Sequence, residues 1–344
     1  HSCSQTSMIP LSDTGWQDQS WQEILANSVT TVAELTKLLG IEGLPLDVEV
    51  DPAFPLFAPH PYLARIETHN AHDPLLLQIL PASLESAEQP GFTVDPLEEQ
   101  SATFVSGLIR KYQGRVLILA AGACAINCRF CFRRHFPYDQ HTLSRDGWQD
   151  IVACISRDDS LNEVILSGGD PLVVNDQRLA WVVRQLEVIP HLRRLRIHTR
   201  LPIAIPQRVC DSLLQWLAGT SLKTILVIHC NHPQELDDPV LESLQRLRQA
   251  GVTLLNQSVL LKNINDDADV LVALSERLFE ADVHPYYLHL LDRVRGAAHF
   301  YLSETQAIEI HQQAASRLPG YLLPRLVREV PGARAKMPVD GFMI

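Results

Sequence analysis

The sequence predicts an α/β fold built on a parallel sheet: a partial (β/α)6 barrel with an N-terminal helical region and a short C-terminal tail. Three observations predict it. From Arg115 onward, short β-branched runs alternate with amphipathic helical runs. After the first strand these units recur at roughly 30 residues, the length of a βαβ crossover. The polar residues that could carry chemistry fall mostly at the C-terminal ends of the predicted strands, where parallel α/β barrels place their active sites.

Taken in order, Ser20 to Leu39 read as one helix. Trp21, Ile24, Leu25, Val29, Val32, Leu35 and Leu38 keep a period of about 3.6 residues, and Gly40 is a plausible stop. Prolines from Pro45 to Pro61 then break regular structure, and one short helix is expected within His60–Leu80. Phe92–Gln100 (FTVDPLEEQ) reads as a connector into the core. The predicted strands are Val116–Ala120, Glu163–Ser167, Leu195–Thr199, Thr224–His229, Thr253–Ser258 and Val283–His289. The predicted helices are Gly147–Arg157, Gln177–Ile189, Pro206–Ala218, Pro239–Ala250 and Asp267–Ala281. Parallel strands need right-handed crossovers, and six are too few for a full eight-stranded barrel. The chain divides as a helical region over 1–91, a barrel over 92–300 and a C-terminal segment over 301–344, with His1–Ser7 expected to be disordered.

Composition bounds the function. The chain has 344 residues, 46% hydrophobic and 20% charged, an ordinary globular balance. A net charge of −11 disfavours non-specific nucleic-acid or membrane-surface binding. No apolar run reaches membrane-spanning length, and no charged n-region precedes an apolar h-region at the start. Seven cysteines suit a disulfide framework poorly, so a reducing cytoplasm is expected. Cys3, Cys154, Cys210 and Cys230 read as buried thiols, and Arg193-Arg194-Leu195-Arg196 as a solvated corner.

The chemistry centres on Cys124-Ala-Ile-Asn-Cys128-Arg-Phe-Cys131. Thiolates suit iron–sulfur clusters and zinc. Structural zinc sites and ordinary electron-transfer clusters use four ligands. Three thiolates in one loop would leave one iron of a cubane open to a small molecule. Gly168-Gly169-Asp170 follows the second strand, and its glycines let backbone groups approach a ligand or simply make a tight turn. Arg133 could clamp a carboxylate through its fork, or merely be solvated. His229 and Gln257 end the fourth and fifth strands, and Asp292 lies just past the sixth. Composition alone does not decide whether Lys111, Tyr112 and Arg115 hold a phosphate, and spacing gives Glu329 and Lys336 no special standing.

The C-x3-C-x2-C loop resembles the signature of the radical S-adenosylmethionine (SAM) enzymes. Longer stretches are more specific. Thr93–Gln100, Cys124–Tyr138, Ser167–Leu172, Arg196–Pro202, Leu254–Leu261, Pro285–Asp292, Gly296–Phe300 and Gly320–Pro324 resemble the lysine 2,3-aminomutases, over about Phe92 to Pro338. That resemblance implies a radical SAM barrel and an isomerase moving an amino group between adjacent carbons of L-lysine. It implies a [4Fe-4S] cluster on Cys124, Cys128 and Cys131, SAM against Gly168, Gly169 and Asp170, and pyridoxal 5′-phosphate (PLP) on Lys336. The phosphate would be held by Lys111, Tyr112 and Arg115. Arg133 would bind the substrate carboxylate, Asp292 and Glu329 its ε-ammonium, and His229 and Gln257 a cofactor. Departures are Glu329 for an aspartate, Ala333-Arg334-Ala335 for glycines, and His289 for a tyrosine. The chain length and the TVDPLEEQ segment resemble the branch linked to elongation factor P and its ligase. A reductant such as flavodoxin or ferredoxin is implied, with no nucleic-acid or membrane partner. A catabolic mutase for lysine or another amino acid, or a non-enzymatic iron–sulfur or zinc protein, are the competing readings.

Overall fold

The β-branched runs pair side by side. A computed structural model describes residues 15–43, 46–105, 107–138 and 143–339. Numbered in chain order, β1 (Thr103–Val105) and β2 (Leu108–Ile109) precede six parallel strands. These are β3 (Arg115–Ala121), β4 (Glu163–Gly168), β5 (Arg194–Thr199), β6 (Lys223–His229), β7 (Thr253–Val259) and β8 (His284–His289). Val116 stands opposite Val164, Leu195 opposite Thr224 and Gln257 opposite Tyr287. β4 is buried along its whole length, as expected of a parallel strand covered on both faces. β5 alternates instead: Leu195 and Ile197 are buried while Arg196 and His198 line an internal cavity.

The crossover helices start where a polar side chain can cap them. Ser144, Asn175, Asp237 and Asp267 accept from backbone N–H groups at the starts of α5 (Arg145–Ser156), α6 (Asp176–Glu187), α9 (Asp238–Gln249) and α10 (Ala268–Glu280). On α6, Leu179, Val182, Val183 and Leu186 form one apolar stripe that is almost wholly buried. Each such side chain contributes roughly 2 kcal/mol.

Several elements differ from expectation. The helix expected over 20–39 is two, α1 (Trp21–Ala26) and α2 (Val32–Leu39). Between them Val29 pairs with Ala58 through N–H···O bonds of 2.8 and 3.0 Å, and Thr31 caps α2. The β-branched run 29–32 kept the helical period yet resists the helix itself. Gly40 does end α2, at φ 67°. In place of one helix over 60–80 stand two single turns, α3 (His60–Leu63) and α4 (Pro74–Leu77), each with proline in its first turn. The helix expected over 206–218 is the turn Pro206–Arg208, preceded by α7 (Leu201–Ala204) and followed by α8 (Asp211–Gly219).

The six-stranded core also extends at both edges. β2 pairs antiparallel with β3, and β1 with β2. After α11 (Glu304–Ala315), β9 (Arg325–Arg328) joins β8 in parallel, and β10 (Met337–Pro338) pairs antiparallel with β9. The order runs β1 to β10 in sequence. These additions span two to four residues each, too short to print a periodicity.

In the corner expected to be solvated, Arg193 is exposed, but Arg194 and Arg196 also pair with the buried Glu163. Of the remaining cysteines, Cys230 is buried but Cys154 and Cys210 are half-buried. His1–Ser7, with Cys3, lie outside the described residues. Trp16, Ile24, Leu35 and Tyr62 share one buried cluster with Ile118, Val164, Ile197 and Leu226, so the N-terminal region packs directly on the barrel. Among the described residues no helix is long and apolar enough to cross a membrane.

Candidate active site

The strand ends surround a cavity of about 830 Å³. Every site residue singled out from the sequence lines it, from the cysteine loop at one end to Lys336 at the other.

The cysteine loop leaves the end of β3, and its shape is set by neighbours. Gly168, at φ 118°, and Gly169 lie against it so closely that a Cβ would fall 2.4 Å from Ala121 O and 2.3 Å from Ala123 O. Glycine is therefore required at both positions. Gly169 N–H donates to Ala121 O at 2.7 Å and Asp170 N–H to Ala123 O at 2.8 Å. The Asp170 carboxylate accepts from Thr199 Oγ1 at 2.7 Å and from the N–H of Arg200 at 2.7 Å, which ties this turn to the end of β5.

The far side of the loop is held by the N-terminal region. Arg129 Nε and Arg134 Nη2 both donate to buried Glu85, at 2.7 and 2.6 Å, and both guanidiniums stack on Phe54. Asn127 N–H reaches Phe57 O at 2.9 Å and Arg129 N–H reaches Gln78 O at 2.9 Å. Buried ion pairs of this kind leave no trace in spacing, and Glu85, Gln78 and Arg129 went unmarked in the sequence.

Burial, and then the neighbouring thiols, push Cys124 well above the usual thiol range. Burial and Cys128 push Cys131 up to about 11. Three thiolates crowded into this site therefore need a counter-cation, and an iron cluster provides one. Among the described residues no three His, Cys, Asp or Glu side chains are gathered around one ion position. In a cubane each thiolate binds a different iron, so the sulfurs stand further apart than ligands of a single ion.

At the other end Glu329 follows β9, and Lys111 and Tyr112 follow β2, across the open side of the sheet. Glu329 accepts from Lys336 Nζ at 2.6 Å, Lys111 Nζ at 3.1 Å and Tyr112 OH at 3.2 Å. Burial works to raise its pKa, but the two ammonium groups outweigh that and hold the carboxyl far below its usual range. Arg115 stacks on Tyr112 at 4.8 Å. Asp292 has the opposite fate: burial and then the Glu329 charge raise it to about 7.

Arg133 is buried, and its fork grips Glu99 at 2.6 and 2.9 Å, while Nη1 reaches Ser167 Oγ at 3.0 Å and Gly168 O at 3.1 Å. Glu99 comes from the predicted connector and also meets Lys111 at 2.9 Å. DPLEE carries two adjacent acids, Glu98 and Glu99, and only the fold shows that Glu99 is the buried one.

Three histidines complete the walls. Burial lowers His198, His229 and His289, His229 to about 3, so all are neutral. His229 Nε2 meets Gln257 Nε2 at 2.6 Å. Nε2 of His198 and of His289 are buried without a partner, which leaves polar atoms for a bound molecule to satisfy. A thiol trio, a cluster of phosphate-competent donors beside a lysine amine, and orphaned imidazoles fit an iron–sulfur cluster and a phosphorylated aldehyde cofactor.

A parallel α/β barrel left open at one side, with a C-x3-C-x2-C loop at its mouth, defines the radical SAM class. No protein-family model matches the chain. It is 46% identical over 318 residues to the L-lysine 2,3-aminomutase of Haemophilus influenzae, covering 92% of this chain and 94% of that one. It is 46% identical over 325 residues to that of Escherichia coli, covering 94% and 95%. The enzyme of that name from Clostridium subterminale is 33% identical over 335 residues, covering 96% and 79%. The chain belongs to the L-lysine 2,3-aminomutase family.

Proposed function

We propose that this protein converts L-α-lysine to (R)-β-lysine with a [4Fe-4S] cluster, SAM and PLP, and that the product serves the modification of elongation factor P. One observation carries the reading: the three thiols and the Lys336 amine line a single cavity that also presents cationic and anionic groups for the two ends of lysine. The relatives named L-lysine 2,3-aminomutase support the substrate. The 93–100 segment supports the elongation-factor branch.

Cys124, Cys128 and Cys131 would each ligate one iron and leave the fourth to SAM. When bound, the reduced cluster and SAM would together supply the one-electron chemistry that the reaction needs. PLP would supply an aldehyde to hold the substrate amine and a π system to spread an unpaired electron. Lys336 would hold the aldehyde through its amine, and Lys111, Tyr112 and Arg115 the phosphate. Both lysines then withdraw charge from Glu329, which is left with Asp292 to face an ε-ammonium. Arg133 would orient the carboxylate, already fixed in rotamer by Glu99 and Ser167. An acidic substrate would bring an anion to two carboxylates and be repelled. The enclosed walls position the reactants and keep water from the radical. A flavodoxin or ferredoxin would deliver the electron, in a cytoplasmic setting.

The test is anaerobic reconstitution with iron and sulfide, followed by dithionite, SAM, PLP and L-lysine, with chiral chromatography of the products. (R)-β-Lysine is expected. A loaded cluster with SAM cleavage but no β-lysine would overturn the assignment.

A further inference from the structure

One buried cation near the cysteine loop has no part in holding substrate or PLP. Arg200 follows β5 and is 7% exposed. Its Nη1 stands 2.7 Å from Cys128 Sγ. Its Nη2 donates to Glu235 Oε2 at 2.8 Å and to Gln78 Oε1 at 2.7 Å. Its backbone N–H is fixed by Asp170 at 2.7 Å. The partners are themselves anchored. Glu235 is 0% exposed and accepts the N–H groups of Asn231 and His232 at 2.9 and 3.1 Å. Gln78 also takes the Asn231 amide at 3.0 Å. The residue is thus pinned at its backbone by one acid and at Nη2 by another, with Nη1 turned to the sulfur. Its Nε is buried without a partner, and the residue lines the cavity. The contact falls on Cys128, the middle cysteine of the loop.

We infer that Arg200 is a tuning residue for the cluster: it bonds the Cys128 sulfur and sets the potential at which the cluster accepts its electron, with Glu235 as the opposing charge. Hydrogen bonds and positive charge at a ligating sulfur draw off electron density and favour the reduced form. The step involved is one electron entering the cluster from an external reductant, with no bond made or broken. Glu235 moderates the effect, because its carboxylate offsets part of the guanidinium charge. The N-terminal region then contributes to the electronic setting of the cluster through Gln78. This inference rests on the reading of the three thiols as cluster ligands.

The experiment is an anaerobic redox titration followed by electron paramagnetic resonance, with iron, sulfide and circular dichroism measured on each protein. Arg200→Gln removes the charge and the fork. The reduction equilibrium should fall about tenfold, the scale of a charge-assisted hydrogen bond, which is about 59 mV more negative for a one-electron couple. Glu235→Gln removes only the opposing charge and should move the midpoint the other way. An Arg200→Gln protein with a full cluster and an unmoved midpoint overturns the inference. If that variant does not load, Glu235→Gln decides it: a more positive midpoint supports tuning, and an unmoved one overturns it. A wild-type chain that forms no four-iron signal would instead overturn the cluster assignment, which keeps the two failures distinct.

Discussion

Asp292→Asn should make the unliganded protein more stable and a poorer lysine enzyme. Burial, and then the Glu329 charge, lift Asp292 from 3.8 to about 7, against the pull of Lys336 and Lys111. A carboxyl that is harder to ionise in the folded chain than in the unfolded one destabilises the fold once it ionises. The cost is absent below pH 3.8, grows as the pH climbs, and is complete above about 7. The gap from 3.8 to about 7 is worth about 4 kcal/mol at 1.36 kcal/mol per pH unit. Asparagine never ionises, but its buried amide lacks a full set of partners, which trims the gain to about 2 kcal/mol. Urea unfolding of the apoprotein at pH 8 should show that gain, and at pH 5 it should nearly vanish. Reconstituted Asp292→Asn should raise the KM for L-lysine at least tenfold, since one acid at the ammonium end is gone. A variant less stable than wild type at pH 8, or a difference that ignores pH, would refute the reasoning.

Lys336→Ala should remove the absorbance band of bound PLP; an unchanged band would place the aldehyde on another amine. Gly169→Ala forces a methyl group to within 2.3 Å of Ala123 O, so the β3 exit must shift. It should lower stability by about 3 kcal/mol and cut iron content, read by unfolding and metal analysis. Glu99→Gln leaves Arg133 buried without its paired acid and should cost about 3 kcal/mol in urea unfolding at neutral pH.

The barrel was legible because each central strand is a β-branched run long enough to show itself. Glu163 and Thr253 begin strands where the pattern placed them, and other starts differ by one residue. Edge pieces such as Met337–Pro338 owe their pairing to a neighbour rather than to their own composition. Val29 shows the reverse failure, as its helical spacing was real but a partner at Ala58 drew it into a bridge. The site residues could be named through the cysteine loop and the long shared stretches. Their occupancy could not. That Arg133 spends its fork on Glu99, or that Glu329 holds two lysines, follows from burial, which forces charges to pair and which no linear pattern records.

The cysteine loop is fastened by Arg129 and Arg134 to an acid that the chain lays down 44 and 49 residues earlier, at Glu85. Ion pairs laid down by the fold therefore help give the loop its form. Losing Glu85 would loosen the cysteine loop from a distance, although that acid touches none of the three thiols.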